Sequence, residues 1–324
     1  MTSLPRNIHE QQAANRLDTV LVMTAFVLFF AVLGLGFDTF FLGFQFGGPP
    51  HRGLGFPAAT LIALAYGGFR AWSSYQSGAQ SVLHSTGARP VGEANPEFQQ
   101  LANVVDEMSI ASGVPRPALY VIPDQDPNAF ATGKDPANAS IAVTQGLVER
   151  LNREELQGVI AHEMSHIRNY DIRLMTVVAA LMGAILLLAE FGLRSFRFGG
   201  ARSKGSSRST GPIFLVFWLL ALLLAPLLSQ ILALAVSRQR EYLADASGAE
   251  LTRNPNALAN ALAKIDAAEE PTRSIKKGSA HLCIGDPLGR KANEHEGFFA
   301  NLFATHPPIE KRITLLRAMA YEHT

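Results

Sequence analysis

Two histidines lie four residues apart in the stretch VIAHEMSHIRNY, residues 159–170, and a glutamate follows the first of them. On a helix, side chains at i and i+4 project from one face, so His162 and His166 could bind one metal ion together. Glu163 would lie beside the pair, where a carboxylate can activate a metal-bound water. Short motifs also match by chance, and paired histidines occur on ordinary helices, so the motif alone leaves both interpretations open.

A catalytic zinc site needs a third protein ligand and one open position. With one cysteine in the chain, Cys283, no disulfide and no cysteine cluster can form, so the third ligand must be His, Asp or Glu. The stretch SRQREYLADASGAEL offers Glu241 as a ligand and Asp245, one turn on, to bond the free ring nitrogen of a ligand histidine. Because Arg238 and Arg240 are close by, Glu241 could equally belong to a solvated helix face.

The helix that carries the histidines has its own signals. Asn152 is a predicted N-cap, and Glu155 three residues later completes a capping box. Apolar residues follow at helical spacing, and the residues around the histidines are uncharged, as a buried site requires.

Four apolar runs predict an integral membrane protein with about four transmembrane helices. A helix needs about 20 mostly apolar residues to cross a bilayer. The runs 19–37 and 209–237 meet this length, whereas 53–69 and 174–189 are marginal and could be buried core helices. The first run follows a polar start and precedes no small-residue cleavage site, so it is interpreted as a retained anchor rather than a signal peptide.

The runs divide the chain into four regions. Residues 1–74 are predicted to form a membrane region with helices at about 19–37 and 53–72, and residues 172–237 a membrane hairpin. The polar blocks 75–171 and 238–324 would together form the catalytic domain. Block 75–171 predicts a helix and two short β-type runs, PALYVIP and ASIAVTQGLV, in a small sheet or hairpin. The expected fold is therefore mainly α with a small β-sheet.

The second polar block has a predicted helix that begins at Asn254 and Pro255, and the chain closes with another helix. Residues 269–297 between them are rich in Pro, Gly and charge and predict a surface loop; His281 and His295 in it are not assigned as ligands. Lys and Arg total 28 against 27 Asp and Glu, which gives no electrostatic reason to expect nucleic acid as a partner.

Four segments together, HEMSHIRNYD, SRQREYLADASGAEL, NPNALANALAKI and THPPIEKRI, resemble the HtpX family of membrane-bound zinc metalloproteases, relatives of the CAAX prenyl proteases. The resemblance implies a gluzincin-type domain with one Zn²⁺ per subunit, bound by His162, His166 and Glu241. It implies Glu163 as general base and proton donor. It also places Asn128 near the substrate groove and His306 near the active site, although His306 could equally belong to a helix start beside two prolines.

The same resemblance implies a bacterial inner-membrane protease of quality control and stress response, acting on misfolded or damaged membrane proteins within the lipid bilayer. Two alternatives stay open: processing of prenylated peptides, and an inactive membrane scaffold. A scaffold has no need of Glu163, which argues against it. An extended substrate is expected to pair with an edge strand at Ser140–Thr144.

Topology follows from the order of segments. His162 precedes the third apolar run and Glu241 follows the fourth. A shared metal ion therefore requires the chain to enter the membrane with the third run and to return with the fourth run to the same face. Arg6 and Arg16 before the first run favour a cytoplasmic N-terminus and a cytoplasmic active site. The basic loop between the third and fourth runs, residues 194–208, opposes this assignment if both runs fully span.

Overall fold

The structure, a computed structural model, describes residues 8–42, 44, 56–92, 95–199, 238–268, 271–275, 278–287 and 307–321. The apolar run 209–237 and His306 therefore lie outside the described residues.

Helices dominate the described chain, as the sequence predicts, and a small sheet accompanies them. The helices are α1 (Ile8–Phe41), α2 (Ala58–Ser85), α3 (Gln99–Ser112), α4 (Gln145–Arg150), α5 (Arg153–Arg168), α6 (Asp171–Gly199), α7 (Arg238–Thr252), α8 (Pro255–Asp266) and α9 (Ile309–Tyr321). The strands are β1 (Arg89–Pro90), β2 (Ala118–Ile122), β3 (Ala129–Gly133) and β4 (Ala139–Thr144). Short 3-10 turns occupy Pro96–Phe98, Pro136–Asn138 and Ala280–Leu282.

The strands form one mixed sheet in the order β1-β2-β4-β3, with β2 and β4 parallel and the other pairs antiparallel. The prediction of an edge strand at Ser140–Thr144 is wrong, because β4 is paired on both sides. Its residues are all buried, and its continuous apolar run is typical of a central strand. The sheet ends instead at β3, which packs against α5.

The main apolar core lies between the sheet and helices α3, α5, α8 and α9. The predicted capping box is confirmed: the Asn152 side chain accepts from the Glu155 N–H, and Glu155 accepts from the Asn152 N–H. The predicted start of α8 is also confirmed, since the Asn254 side chain accepts from the Ala257 N–H. These local hydrogen bonds fix where the helix of the histidines begins and where α8 packs against it.

A second apolar cluster joins α1, α2 and α6, with Phe26 of α1, Ala71 of α2 and Val178 of α6 among its buried residues. Within the described part of the chain, α1 is the helix that is long and apolar enough to span a membrane by itself, over Glu10–Thr39. Helices α5 and α6 pass the same test only if taken together, and they meet at an angle of 88°. The count of four spans remains a prediction.

Two predicted regions, the boundary at residue 75 and the surface loop at 269–297, can be compared with the structure. Helix α2 runs unbroken through residue 75, where the sequence places a regional boundary. The described parts of 269–297 do not form the predicted surface loop, because Ile284 is buried in the main core, and Ile275 and Leu282 are buried in a third apolar cluster with Val82 of α2 and Phe130 of β3. Their apolar side chains outweigh the surrounding Pro, Gly and charge, which alone suggested exposure.

Candidate metal centre

Helix α5 brings the two histidines together inside the protein. The rings of His162 and His166 are both buried, and their Nε2 atoms lie 3.3 Å apart. This follows from the i, i+4 spacing predicted from the sequence. The two nitrogens point at one common position beside the helix.

Helix α7 adds a carboxylate at the same position. One Glu241 oxygen lies 3.7 Å from His162 Nε2, and the other lies 3.6 Å from His166 Nε2. The approach of the two helices needs a glycine two turns further along α7. A Cβ on Gly248 would lie 3.0 Å from the His162 backbone nitrogen, so a larger residue would force α7 away from α5.

His162, His166 and Glu241 together could hold a metal ion, since their ligand atoms lie within 4.8 Å of one another. Tetrahedral zinc ligands at about 2.0–2.1 Å from the ion are about 3.3 Å apart, which matches the observed spacing of the nitrogens. Each Nδ1 lies 3.0 Å from a carboxylate, which would keep a proton on Nδ1 and leave Nε2 to bind the ion. The donor set therefore fits a zinc ion.

A group of charged residues holds His162, and we call Asp245 and Arg312 the C-terminal arm. Asp245 lies 3.0 Å from His162 Nδ1. Arg312 of α9 donates to both oxygens of that carboxylate at 2.8 and 2.7 Å, and to the Ile284 carbonyl at 2.8 Å. It also approaches Glu241 at 3.4 Å. One buried guanidinium thus links two carboxylates of the centre.

A different pair, which we call the membrane arm, holds His166: Asp171 at the start of α6 and Asn15 of α1. Asp171 Oδ2 lies 3.0 Å from His166 Nδ1. The Asn15 side-chain amide donates to Asp171 Oδ1 at 2.6 Å and to the Asn169 carbonyl at 2.9 Å. Arg240 lies 3.6 Å from Asp171 Oδ1.

The two arms give the histidines opposite proton affinities. Burial lowers the pKa of His162, and the positive charge of Arg312 adds to that lowering, although Asp245 opposes it. Burial also acts to lower the pKa of His166, but the hydrogen bond to Asp171 and the charges of Glu241, Asp171 and Glu163 raise it to about 9. The surplus of negative charge that attracts a proton to His166 also favours a metal cation at its other nitrogen.

Glu163 is buried beside the pair, with 1% of its surface exposed. Among the described residues, none donates a hydrogen bond of ordinary geometry to either of its carboxylate oxygens, although the Ala131 backbone N–H of β3 is near enough to lower its pKa. Burial is the stronger influence and, with the nearby Glu241, raises the pKa of Glu163 to about 7 against the opposing charge of His166. A buried carboxylate with so few partners is suited to hold and release a proton near neutral pH.

The structure also describes Asn128, which was predicted to lie near the substrate groove, and His281. Asn128 is fully buried, and its side-chain amide donates to Thr272 at 3.2 Å and to the Gly285 carbonyl at 3.1 Å. In this structure it therefore anchors the 271–287 segment, and its role in a substrate groove stays a prediction. His281, not assigned as a ligand, lies 3.1 Å from the Met175 carbonyl.

The sequence analysis assigned no role to Arg312, Asp171 or Asn15. A signal existed for Arg312, because it interrupts the apolar side of α9 between Ile309, Ile313 and Leu316. A charged residue on the buried side of a helix needs a partner. For Asp171 and Asn15 the sequence carries no comparable signal, since an Asp at a helix start and an Asn before an apolar run are both common.

Comparison with known proteins shows which proteins this chain is similar to. The family model described as Peptidase family M48 matches residues 95–320. A "Protease HtpX homolog" of Caldanaerobacter subterraneus subsp. tengcongensis is 43% identical over 97% of this chain and 98% of its own length. A homolog of the same name from Streptococcus uberis is 40% identical over 96% of this chain and 100% of its own length. The crystal structure of S. mikatae Ste24p has a TM-score of 0.48 at 19% identity, covering 95% of this chain and 66% of that one.

Proposed function

The chain belongs to the HtpX group of peptidase family M48 and is a metalloprotease, and from this premise we propose that it is a multi-pass zinc endopeptidase of the bacterial inner membrane that cleaves misfolded or damaged membrane proteins. One observation carries the proposal. Two histidine nitrogens and a carboxylate converge on a single buried point, and a further buried carboxylate, that of Glu163, stands beside them.

His162, His166 and Glu241 are the proposed zinc ligands, with one ion per chain. When bound, zinc would lower the pKa of a water and polarise the carbonyl of the peptide bond. Glu163 takes the proton of the attacking water and passes it to the leaving amine. Its carboxylate is buried beside the ligands, a position from which it can accept the proton and return it.

The β3 edge of the sheet, although buried in the structure, is the proposed place for the substrate backbone. At β3, the Ala129 carbonyl accepts from the Ile284 N–H at 3.0 Å, and the Gly133 N–H donates to Thr176 at 3.0 Å. Between these contacts, Ala131 turns its N–H towards Glu163. A peptide that pairs with β3 by main-chain hydrogen bonds would bring a carbonyl next to the general base with little demand on sequence.

The proposed membrane arrangement rests on where α1 and α6 begin. Asn15, two turns into α1, bonds to Asp171, the first residue of α6, so the apolar part of α1 and the start of α6 lie at the same level beside the metal centre. They would enter the bilayer from one side, which is the cytoplasmic side if Arg6 and Arg16 follow the positive-inside rule. Helix α2, which exposes Leu61, Ile62 and Phe69, and the run 209–237 supply the other proposed spans.

The division into regions follows from this arrangement. Residues 1–74 and 172–237 are the proposed membrane regions, and residues 75–171 and 238–324 are the two parts of the catalytic domain. A centre next to the entry point of the membrane helices can reach segments that emerge from the bilayer. This placement supports membrane proteins as the substrate class.

A proteolysis assay on the full-length protein in detergent tests the proposal. Casein cleavage should stop on adding 1,10-phenanthroline and return with zinc. Glu163→Gln should bind zinc but cleave about 10²–10⁴-fold more slowly, because the general base is lost. Glu154→Gln, in the exposed first turn of the same helix, is the matched control and should cleave normally. Unchanged cleavage by Glu163→Gln would contradict the mechanism.

The substrate class needs its own comparison. A reporter membrane protein and a destabilised variant of it, reconstituted with the protease in vesicles, should differ in cleavage rate, the destabilised form being cut faster. Equal rates would reject selection of damaged proteins. Faster cleavage of prenylated than of unprenylated peptides would favour the processing role instead.

A further inference from the structure

We propose that Asn15, on the membrane helix α1, is a positioning residue of the metal centre that acts through Asp171 on His166. Asn15 lies outside residues 95–320, the part of the chain that matches the peptidase family. The inference rests on the proposed function, because it requires His166 to be a metal ligand.

The side-chain NH₂ group of Asn15 donates two hydrogen bonds to the segment that joins α5 and α6. It donates to Asp171 Oδ1 at 2.6 Å and to the Asn169 carbonyl at 2.9 Å, and the residue is 1% exposed. Both acceptors lie in the short bend between α5 and α6. One side chain of α1 therefore fixes the segment that immediately follows the two histidines.

Asp171 is the link between Asn15 and the centre. It is fully buried, and its other oxygen lies 3.0 Å from His166 Nδ1. Arg240 approaches the Asn15-bound oxygen only at 3.6 Å, which is beyond hydrogen-bond length. With Asn15 removed, the carboxylate can rotate, and His166 loses a fixed partner that sets its ring orientation. Partners of this kind support metal affinity.

Contacts of other α1 residues hold Asn15 at this place. Thr19 donates to the Asn15 carbonyl at 2.7 Å, and Asp18 pairs with Arg240 at 2.7 Å. Val22 and Phe26 continue the same helix face into the buried cluster with α6. The rotation and depth of the helix are thus fixed by the Asp18–Arg240 pair and by the apolar face that follows Asn15.

Zinc affinity of the full-length protein in detergent, measured by competition with a chromogenic chelator, tests the inference. Asn15→Ala should bind zinc about 10-fold more weakly, at the low end of the range for partners of a ligand. Gln12→Ala is the matched control: it removes a hydrogen bond of 3.0 Å from the same helix to the Arg168 carbonyl, but no contact with Asp171, and should bind zinc normally.

A double-mutant cycle separates positioning from a general structural role. If Asn15 acts through Asp171, Asn15→Ala should weaken zinc binding little further in a chain that already carries Asp171→Ala. Equal fold-losses in both backgrounds would overturn the inference, as would unchanged affinity in Asn15→Ala. Failure of the unsubstituted protein to bind zinc would instead overturn the proposed function itself, and the inference with it.

Discussion

In both the C-terminal arm and the membrane arm a carboxylate contacts a histidine, but the charge of the side chain that bonds this carboxylate differs. In each arm a carboxylate lies 3.0 Å from the Nδ1 of one histidine. Asp245 is then bonded by a guanidinium, that of Arg312, whereas Asp171 is bonded by the neutral amide of Asn15. The C-terminal arm therefore contains a close ion pair to an arginine, whereas in the membrane arm the nearest partner beyond His166 is a neutral amide and Arg240 lies further off at 3.6 Å.

The difference explains the contrast between the two histidines. Burial would raise the pKa of Asp245, but Arg312 and His162 hold it well below the usual range, so this carboxylate stays charged. Burial lowers the pKa of His162, with smaller contributions from the charges of His166 and Arg312, whereas at His166 the hydrogen bond to Asp171 and the charges of Glu241, Asp171 and Glu163 outweigh burial and raise the pKa to about 9. Both arms should therefore support binding of the cation, and the C-terminal arm should matter more for stability.

The largest effect is expected from Arg312→Ala. This change leaves Asp245 and Glu241 buried beside each other without their shared cation, and breaking a buried ion pair costs about 3–5 kcal/mol. Denaturant unfolding in mild detergent measures the loss. Lys311→Ala on the exposed side of the same helix is the control, since it removes only a cation–π contact with Tyr242 of less than about 1 kcal/mol. Similar losses of unfolding free energy in both variants would show that the buried Arg312 ion pairs stabilise the fold no more than a surface contact does.

The isosteric pair Asp245→Asn and Asp171→Asn compares the arms directly. Each should weaken zinc binding by about 10–100-fold, because each removes the charge behind a ligand histidine. Only Asp245→Asn should also lower the stability of the zinc-free protein strongly, by about 1.5–3 kcal/mol, since it weakens hydrogen bonds to a buried guanidinium. Chelator competition and unfolding of the zinc-free proteins provide the two readouts. Equal loss of stability would remove the distinction between the arms.

The smallest effect is expected at Asp18, the second contact between α1 and the catalytic domain. Its pair with Arg240 is partly exposed, with 38% of the Asp18 side chain accessible, and solvent screens it. Asp18→Asn should cost less than about 1 kcal/mol. Any difference from the unsubstituted protein should shrink further in high salt. A loss that is large and independent of salt would mean that α1 is held by charge and not chiefly by Asn15 and the apolar face.

The sequence predicts well what depends on neighbouring residues. The spacing of His162 and His166, the capping box at Asn152 and the start of α8 at Asn254 are all set within one or two helical turns. The spacing alone left Glu241 open between a metal ligand and a solvated helix face, and the family resemblance implied the ligand; the structure brings its carboxylate within 3.7 Å of both histidines. The comparisons confirm the family resemblance that the four sequence segments indicated.

What the sequence does not predict depends on distant parts of the chain. Asn15 and Asp171 are separated by 156 residues, and Asp245 and Arg312 by 67, so no local pattern connects them. The edge strand was misassigned because apolar strands look alike until their pairing is known. The 271–287 segment was misassigned because its composition resembles that of a loop, while a few apolar residues decide its burial.

The central claim is that His162, His166 and Glu241 bind one zinc ion, and the zinc content of the purified full-length protein tests it most directly. The account predicts about one zinc per chain in the unsubstituted protein and in Glu163→Gln, and almost none in Glu241→Ala, because three protein ligands are needed to retain the ion. Full zinc content in Glu241→Ala, with a normal unfolding midpoint, would contradict the account.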